Sequence, residues 1–165
     1  MPVIRQQYAR PLNKCKQGQF MSNCCADSSS KAATQACPEC GTVGKSVEMR
    51  TLYHQLRFPE NQRIASGGYY FCPSKHCSIG YFSSAGNSIP KSHLRTYQEI
   101  RKDTLCYCFD IDTELYLSAL RVNRADSIKG FVIQRTKTGE CACESRNPSG
   151  QCCLAEFKRL EKKAK

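Results

Sequence analysis

Cys37-Pro38-Glu39-Cys40, followed by Gly41, and, with 31 residues between Cys40 and Cys72, Cys72-Pro73-Ser74-Lys75-His76-Cys77 are the two stretches on which the reading of this chain turns. The first is a C-x2-C knuckle with a glycine just behind it. The second brings two more sulfurs from a separate loop. Four thiolates from two loops make the closed tetrahedral arrangement of a structural zinc site. Cys37, Cys40, Cys72 and Cys77 are therefore the first candidate ligand set, with His76 a candidate to replace one thiolate. A redox use of the knuckle is disfavoured, because no βαβ pattern surrounds it.

The rest of the composition agrees with metal ligation. The chain has 165 residues, 13 cysteines and no tryptophan, is 40% hydrophobic and has a mean hydropathy of -0.54. Units of fifty to sixty residues cut from such a chain need staples, because a core alone rarely suffices below about 70–80 residues. An odd number of cysteines fits a closed disulfide framework poorly. The first ten residues hold no apolar run of the signal-peptide kind. No stretch approaches the roughly 18 apolar residues of a membrane span. The expectation is a cytoplasmic chain whose thiols stay reduced and bind metal.

The net charge is +11, from 25 basic and 14 acidic side chains. It is spread along the chain without a basic stripe. Each centre of four thiolates would also remove about two positive charges. Nucleic acid is not the expected partner.

By composition the expected fold is α+β: a small β-rich zinc-binding module, then a small helical module. Residues 1–35 read as a tail without apolar periodicity, with Met21 a candidate start site. Residues 36–90 read as the β-rich module. There Val47, Met49, Thr51 and Tyr53 alternate with polar residues as in a strand, and Tyr69-Tyr70-Phe71 and Ile79-Gly80-Tyr81-Phe82 are aromatic-rich strands flanking the second cysteine loop. Residues 91–105 read as a connector. Residues 106–165 read as mostly helical. Asp110 or Asp112 caps a helix bearing Leu115, Ala119 and Leu120, a second helical segment covers 127–133, and a last helix starts at Pro148-Ser149-Gly150 and carries Phe157 and Leu160.

The helical part holds a second cysteine set of different spacing: Cys106-Tyr107-Cys108, Cys141-Ala142-Cys143 and Cys152-Cys153. A C-x-C pair suits an iron–sulfur cluster loop. Cys152 and Cys153, placed on the first turn of the last helix, would meet free N–H groups and the positive helix end. Spacing alone also permits a second zinc ion.

The order Cys37-Pro38-Glu39-Cys40, Tyr70-Phe71-Cys72, Cys77, Tyr81-Phe82, Cys106-Tyr107-Cys108, Cys143 and Asn147-Pro148-Ser149-Gly150-Gln151-Cys152-Cys153 resembles the amino-terminal domain of the archaeal copper chaperone CopZ family. The likeness covers roughly residues 36–160. It implies zinc at Cys37, Cys40, Cys72 and Cys77. It implies a [2Fe-2S] cluster at Cys106, Cys108, Cys143 and one of Cys152 or Cys153. The second half is similar to bacterioferritin-associated ferredoxin, a small helical [2Fe-2S] fold. Cys141 is an additional thiol that competes with Cys143. Inward direction favours Cys153 as the fourth ligand and the Gly-x-Cys context favours Cys152. The archaeal family continues into a copper-binding domain with a Met-x-Cys-x-x-Cys loop, and no such loop occurs here.

Three functional readings follow. One is a metal-trafficking accessory that handles soft ions or supplies electrons for their reduction, with a metal-transporting ATPase or a redox protein as partner. The flexible pair Cys24-Cys25, with Cys15 nearby, is its candidate Cu(I) site, because soft thiolates select Cu(I). The second is a one-electron carrier of the ferredoxin kind. The third is a metal-responsive regulator that binds DNA. No serine, histidine and carboxylate set is visible, and only His54, His76 and His93 are available, so an enzyme is not expected. Each half is expected to fold around its own metal.

Overall fold

Aromatic side chains build the first half of the molecule. A computed structural model describes residues 34–164, which belong to one compact unit. Apart from its last two residues, the tail expected over 1–35 lies outside the described residues, and with it Cys15, Met21, Cys24 and Cys25.

Strands β1 (Lys45–Val47), β2 (Tyr69–Phe71), β3 (Ile79–Ser83) and β4 (Ser88–Pro90) form one antiparallel sheet in sequence order. Tyr70 pairs with Phe82 and Phe71 with Tyr81 across β2 and β3. Their rings meet at 5.6 and 5.8 Å, a cross-strand contact that helps fix the register. Because successive strand residues point to opposite faces, the two ring pairs serve two cores. Phe71 and Tyr81 join Val47, Leu52, Leu56, Tyr69 and Leu94. Phe82, with Tyr70 beside it, covers Cys37, Cys72, Cys77 and Ile79.

The alternation over Val47–Tyr53 predicts one strand, and the structure ends it early. Only Val47 lies in β1, and Met49–Gln55 forms helix α1. The residues α1 buries are Thr51, Leu52 and Gln55, with Leu56 fully buried just beyond. This is helical spacing, and two of its buried members are polar, so a hydrophobic count along the chain reads the wrong period.

A short helix α2 (Tyr97–Arg101) occupies the connector. Strands β5 (Thr104–Cys106) and β6 (Ile111–Asp112) pair as a second small sheet that carries Cys106. Asp112 then caps α3 (Thr113–Arg121), its Oδ1 accepting the Leu115 N–H at 2.6 Å. Such a cap contributes about 1 kcal/mol. Helix α4 (Ala125–Lys137) contains the expected second helical segment. Tyr116, Ala119, Val132 and Phe157 pack with Leu105, Cys106, Ile111 and Cys153, Tyr116 meeting Phe157 edge-on at 4.6 Å.

The last helix begins later than the sequence suggests. Cys143–Arg146 is a short helix α5, residues 147–151 form a turn, and α6 runs Leu154–Lys163. The Asn147 side chain explains the delay. Its Oδ1 accepts from the Ser149 N–H and hydroxyl, and its Nδ2 donates to the Gln151 carbonyl. Gly150 sits at φ +69°, a left-handed conformation that glycine adopts without steric cost. Cys152 and Cys153 thus precede α6, with Cys153 at its N-cap.

The two halves meet over buried polar contacts. Gln55 donates to the carbonyls of Ser145 and Arg146, and Tyr81 donates to that of Pro148. Lys45 pairs with Glu156 at 2.6 Å. Among the described residues no helix is long and apolar enough to cross a membrane.

Candidate metal centres

The sulfurs of Cys37, Cys40, Cys72 and Cys77 lie within 4.8 Å of one another, the one such donor group of three or more among the described residues. Cys37 and Cys77 are 3.8 Å apart and Cys40 and Cys72 3.5 Å apart. Zinc–sulfur bonds of about 2.3 Å in a tetrahedron place sulfurs about 3.8 Å apart, so the donor set fits that ion in number, type and spacing. His76 is not among the four and is exposed.

Local backbone makes the site. Gly41 stands at φ +69°, and its N–H donates to the Cys37 carbonyl at 2.9 Å, closing the knuckle. Cys72 follows directly on β2, and Cys77 lies two residues before β3. The aromatic sheet therefore holds the second pair at both ends. Three of the sulfurs are buried and Cys40 is at the surface. Burial pushes the Cys72 thiol up, and pushes Cys77 up to about 11. Hydrogen bonds from Thr42, hydroxyl first and N–H second, bring Cys40 down to about 6. Buried thiols held together ionise only when a cation compensates them. That is what a metal supplies, and it displaces their protons on binding.

One charge near this site escaped the sequence reading. Lys91 is buried at 5% exposure. Its ammonium donates to the carbonyls of Ser74 and Cys77. It ties the loop between the second pair of cysteines and sets a fixed positive charge behind it. In sequence Lys91 looks like any connector lysine, and no local signal marks it.

The second set is assembled differently. Cys106 is carried on β5, Cys108 and Cys141 lie in loops, Cys143 begins α5, and Cys152 and Cys153 end the 147–151 turn. Cys108 and Cys143 are 3.7 Å apart, and the Ala142 N–H donates to Cys108 Sγ at 3.3 Å. The thiols of Cys106 and Cys153 interact, bringing Cys106 down to about 7 and Cys153 up. Cys152 is pulled down by the neighbouring thiols of Cys143 and Cys153 and then by the Leu154 N–H. Cys106 and Cys153 are buried, Cys108, Cys141 and Cys143 half-buried, and Cys152 exposed. Thiol contacts run from Cys108 to Cys143, from Cys143 to Cys152 and Cys153, and from Cys153 to Cys106.

Residues 34–95 match zf_CopZ, a zinc binding domain. That CopZ-type segment contains the whole first cysteine set and ends before Cys106. The chain is also similar to the copper chaperone CopZ of Archaeoglobus fulgidus, with 29% identity over 128 residues, 75% of this chain and 60% of that protein. This chain thus spans less than two thirds of the length of that relative. Among solved structures it resembles the amino-terminal domain of Archaeoglobus fulgidus CopZ. The TM-score is 0.59 at 27% identity, covering 77% of this chain and 98% of that domain. The structural likeness reaches beyond the CopZ-type segment into the helical half.

Proposed function

We propose that the chain is a metal-trafficking accessory protein of the copper-chaperone kind, not an enzyme. It carries zinc on Cys37, Cys40, Cys72 and Cys77, and a [2Fe-2S] cluster on Cys106, Cys108, Cys143 and Cys153. The observation that carries the reading is the coexistence of a closed four-sulfur group with a second, separate cluster of cysteine thiols in one compact unit. The likeness to Archaeoglobus CopZ over both halves supports it.

Roles follow from the residues. The first set holds its ion structurally, because four protein ligands leave no open position. A [2Fe-2S] cluster, when bound, supplies a one-electron couple. The helical half, similar to bacterioferritin-associated ferredoxin, would hold it. Cys153 is assigned over Cys152 because it is buried in the core and faces Cys106. Cys152 and Cys141 are then spare thiols beside the centre. A soft ion such as Cu(I) is the cargo, with a metal-transporting ATPase or a redox protein as the recipient. A nucleic-acid role is disfavoured because Lys45, Lys129, Arg121 and Arg135 are engaged in ion pairs.

The test is anaerobic purification with metal and sulfide analysis, a visible spectrum and Cu(I) competition. One zinc, two irons and two sulfides per chain are expected, with measurable Cu(I) affinity. Two zinc ions and no iron would refute the cluster. Fast one-electron reduction without Cu(I) affinity would favour a simple electron carrier. Cys153→Ser should lose the visible absorption and Cys152→Ser should keep it.

A further inference from the structure

The turn between Cys143 and Cys153 is held from the other half of the molecule. Gln55, the last residue of α1, is 1% exposed. Its Nε2 donates to the Ser145 and Arg146 carbonyls at 2.8 and 3.1 Å, and its Oε1 accepts from the Thr96 hydroxyl at 2.6 Å. Tyr81 of β3 is fully buried, and its hydroxyl donates to the Pro148 carbonyl at 2.6 Å. Gly150 lies against Thr51 of α1 so closely that a Cβ there would fall 2.6 Å from Thr51 Oγ1. Three side chains of the zinc-binding half thus fix three successive points of one segment. That segment carries Cys143 at its start and Cys152 and Cys153 at its end.

The chain path links these contacts to the first centre. Helix α1 lies between Cys40 and Cys72, and β3 begins two residues after Cys77. The carbonyls of α5 at its open end have few helical partners of their own. Gln55 supplies donors that a four-residue helix cannot.

We propose that Gln55 and Tyr81 are positioning residues for the second cysteine set. By clamping residues 145–148 they hold Cys143 and Cys153 at the separation a [2Fe-2S] cluster requires, and they make the second centre depend on the first. The proposal rests on the reading that this set binds such a cluster. Neither residue touches the cluster ligands; both act through the turn.

The experiment uses the full chain, purified anaerobically as wild type, Tyr81→Phe, Gln55→Met and the control Tyr116→Phe. The control deletes a buried hydroxyl that bonds Glu161, away from the turn. Zinc per chain, iron per chain, the visible circular dichroism of the cluster, and its rate of loss to an iron chelator are measured. Tyr81→Phe and Gln55→Met should keep one zinc per chain. They should lose iron to the chelator about tenfold faster than wild type, as expected for leaving a buried carbonyl without its donor, with altered circular dichroism. Tyr116→Phe should match wild type in both cluster readouts even where its melting temperature falls. Variants indistinguishable from wild type in loss rate and dichroism would overturn the proposal alone. So would a control that changes as they do, since the effect would then be general destabilisation. A variant that fails to keep zinc is replaced in the comparison by the other, and loss of zinc in both overturns the assignment to positioning. Wild-type protein without iron would overturn the cluster reading and this proposal together.

Discussion

The two cysteine sets differ in how their geometry is enforced. The first is local: two short loops, one knuckle and two strands set four sulfurs within 4.8 Å of one another. The second collects sulfurs from a strand, two loops, a four-residue helix and a turn, and that turn is held by side chains some 65 to 90 positions away in sequence, such as Gln55 against Ser145 and Tyr81 against Pro148. A site built from adjacent loops organises itself when its metal binds. A site built from distant segments needs a scaffold already folded. If Gln55 and Tyr81 position the second set as proposed, the second centre depends on the first, against the expectation that each half folds around its own metal.

The largest effect should come from breaking the first site. Cys72→Ala is expected to abolish zinc binding and to unfold the aromatic sheet, since metal binding free energies of about 10–16 kcal/mol underwrite the folding of small zinc modules. Zinc analysis and far-ultraviolet circular dichroism read this directly. Visible absorption should decline along with the zinc; full retention of cluster colour in a zinc-free chain would restore the picture of two independent halves.

Lys91→Met sharpens the comparison from the side of the first site. It removes the buried charge, leaves the Cys77 carbonyl without its donor and takes one of two donors from the Ser74 carbonyl. Zinc affinity should fall about 10- to 100-fold, the usual effect of losing a group that orients metal ligands. Competition with a chromophoric chelator measures it, and an unchanged affinity would mean the thiolates need no help from this cation.

Gly150→Ala tests the contact between the halves. Its φ of +69° disfavours any other residue, and the new Cβ would press on Thr51 Oγ1. A destabilisation of about 1–3 kcal/mol is expected, read by denaturant titration of the metal-loaded protein. The smallest effect belongs to Arg50→Ala. The Arg50–Glu144 pair also bridges the halves, at 3.1 Å, but both side chains are more than 60% exposed. Its loss should change stability by less than about 1 kcal/mol. A larger change would move weight from the buried clamp to the surface.

Several elements were legible in the chain because their causes are local. The aromatic runs at Tyr69–Phe71 and Ile79–Ser83 became strands, and Asp112 became the cap of α3. The knuckle and the second pair declared a metal site through spacing, and the structure brings those four sulfurs together. Helix α1 was not legible, because Thr51 and Gln55 are buried polar residues and their partners at 145–150 come from the far end of the sequence. The start of α6 was misplaced for a related reason. Pro148-Ser149-Gly150 has the composition of a helix start, but the Asn147 side chain folds the segment into a turn first.

The sequence by itself marked Cys37, Cys40, Cys72 and Cys77 as one candidate donor set, which the structure brings together, and showed that a second, differently spaced set follows. Those facts rest on residue type and short spacing, which a linear reading preserves. The inward direction of Cys153 was legible from its spacing to Phe157 and Leu160; only the tertiary structure decided that Lys91 stands behind the first site and that Gln55 and Tyr81 grip the turn of the second. The Gln55 and Tyr81 contacts depend on which distant backbone carbonyl a buried side chain meets, set by the packing of α1 and β3 against residues 143–153, and the Lys91 contacts on the fold of the loop between Cys72 and Cys77.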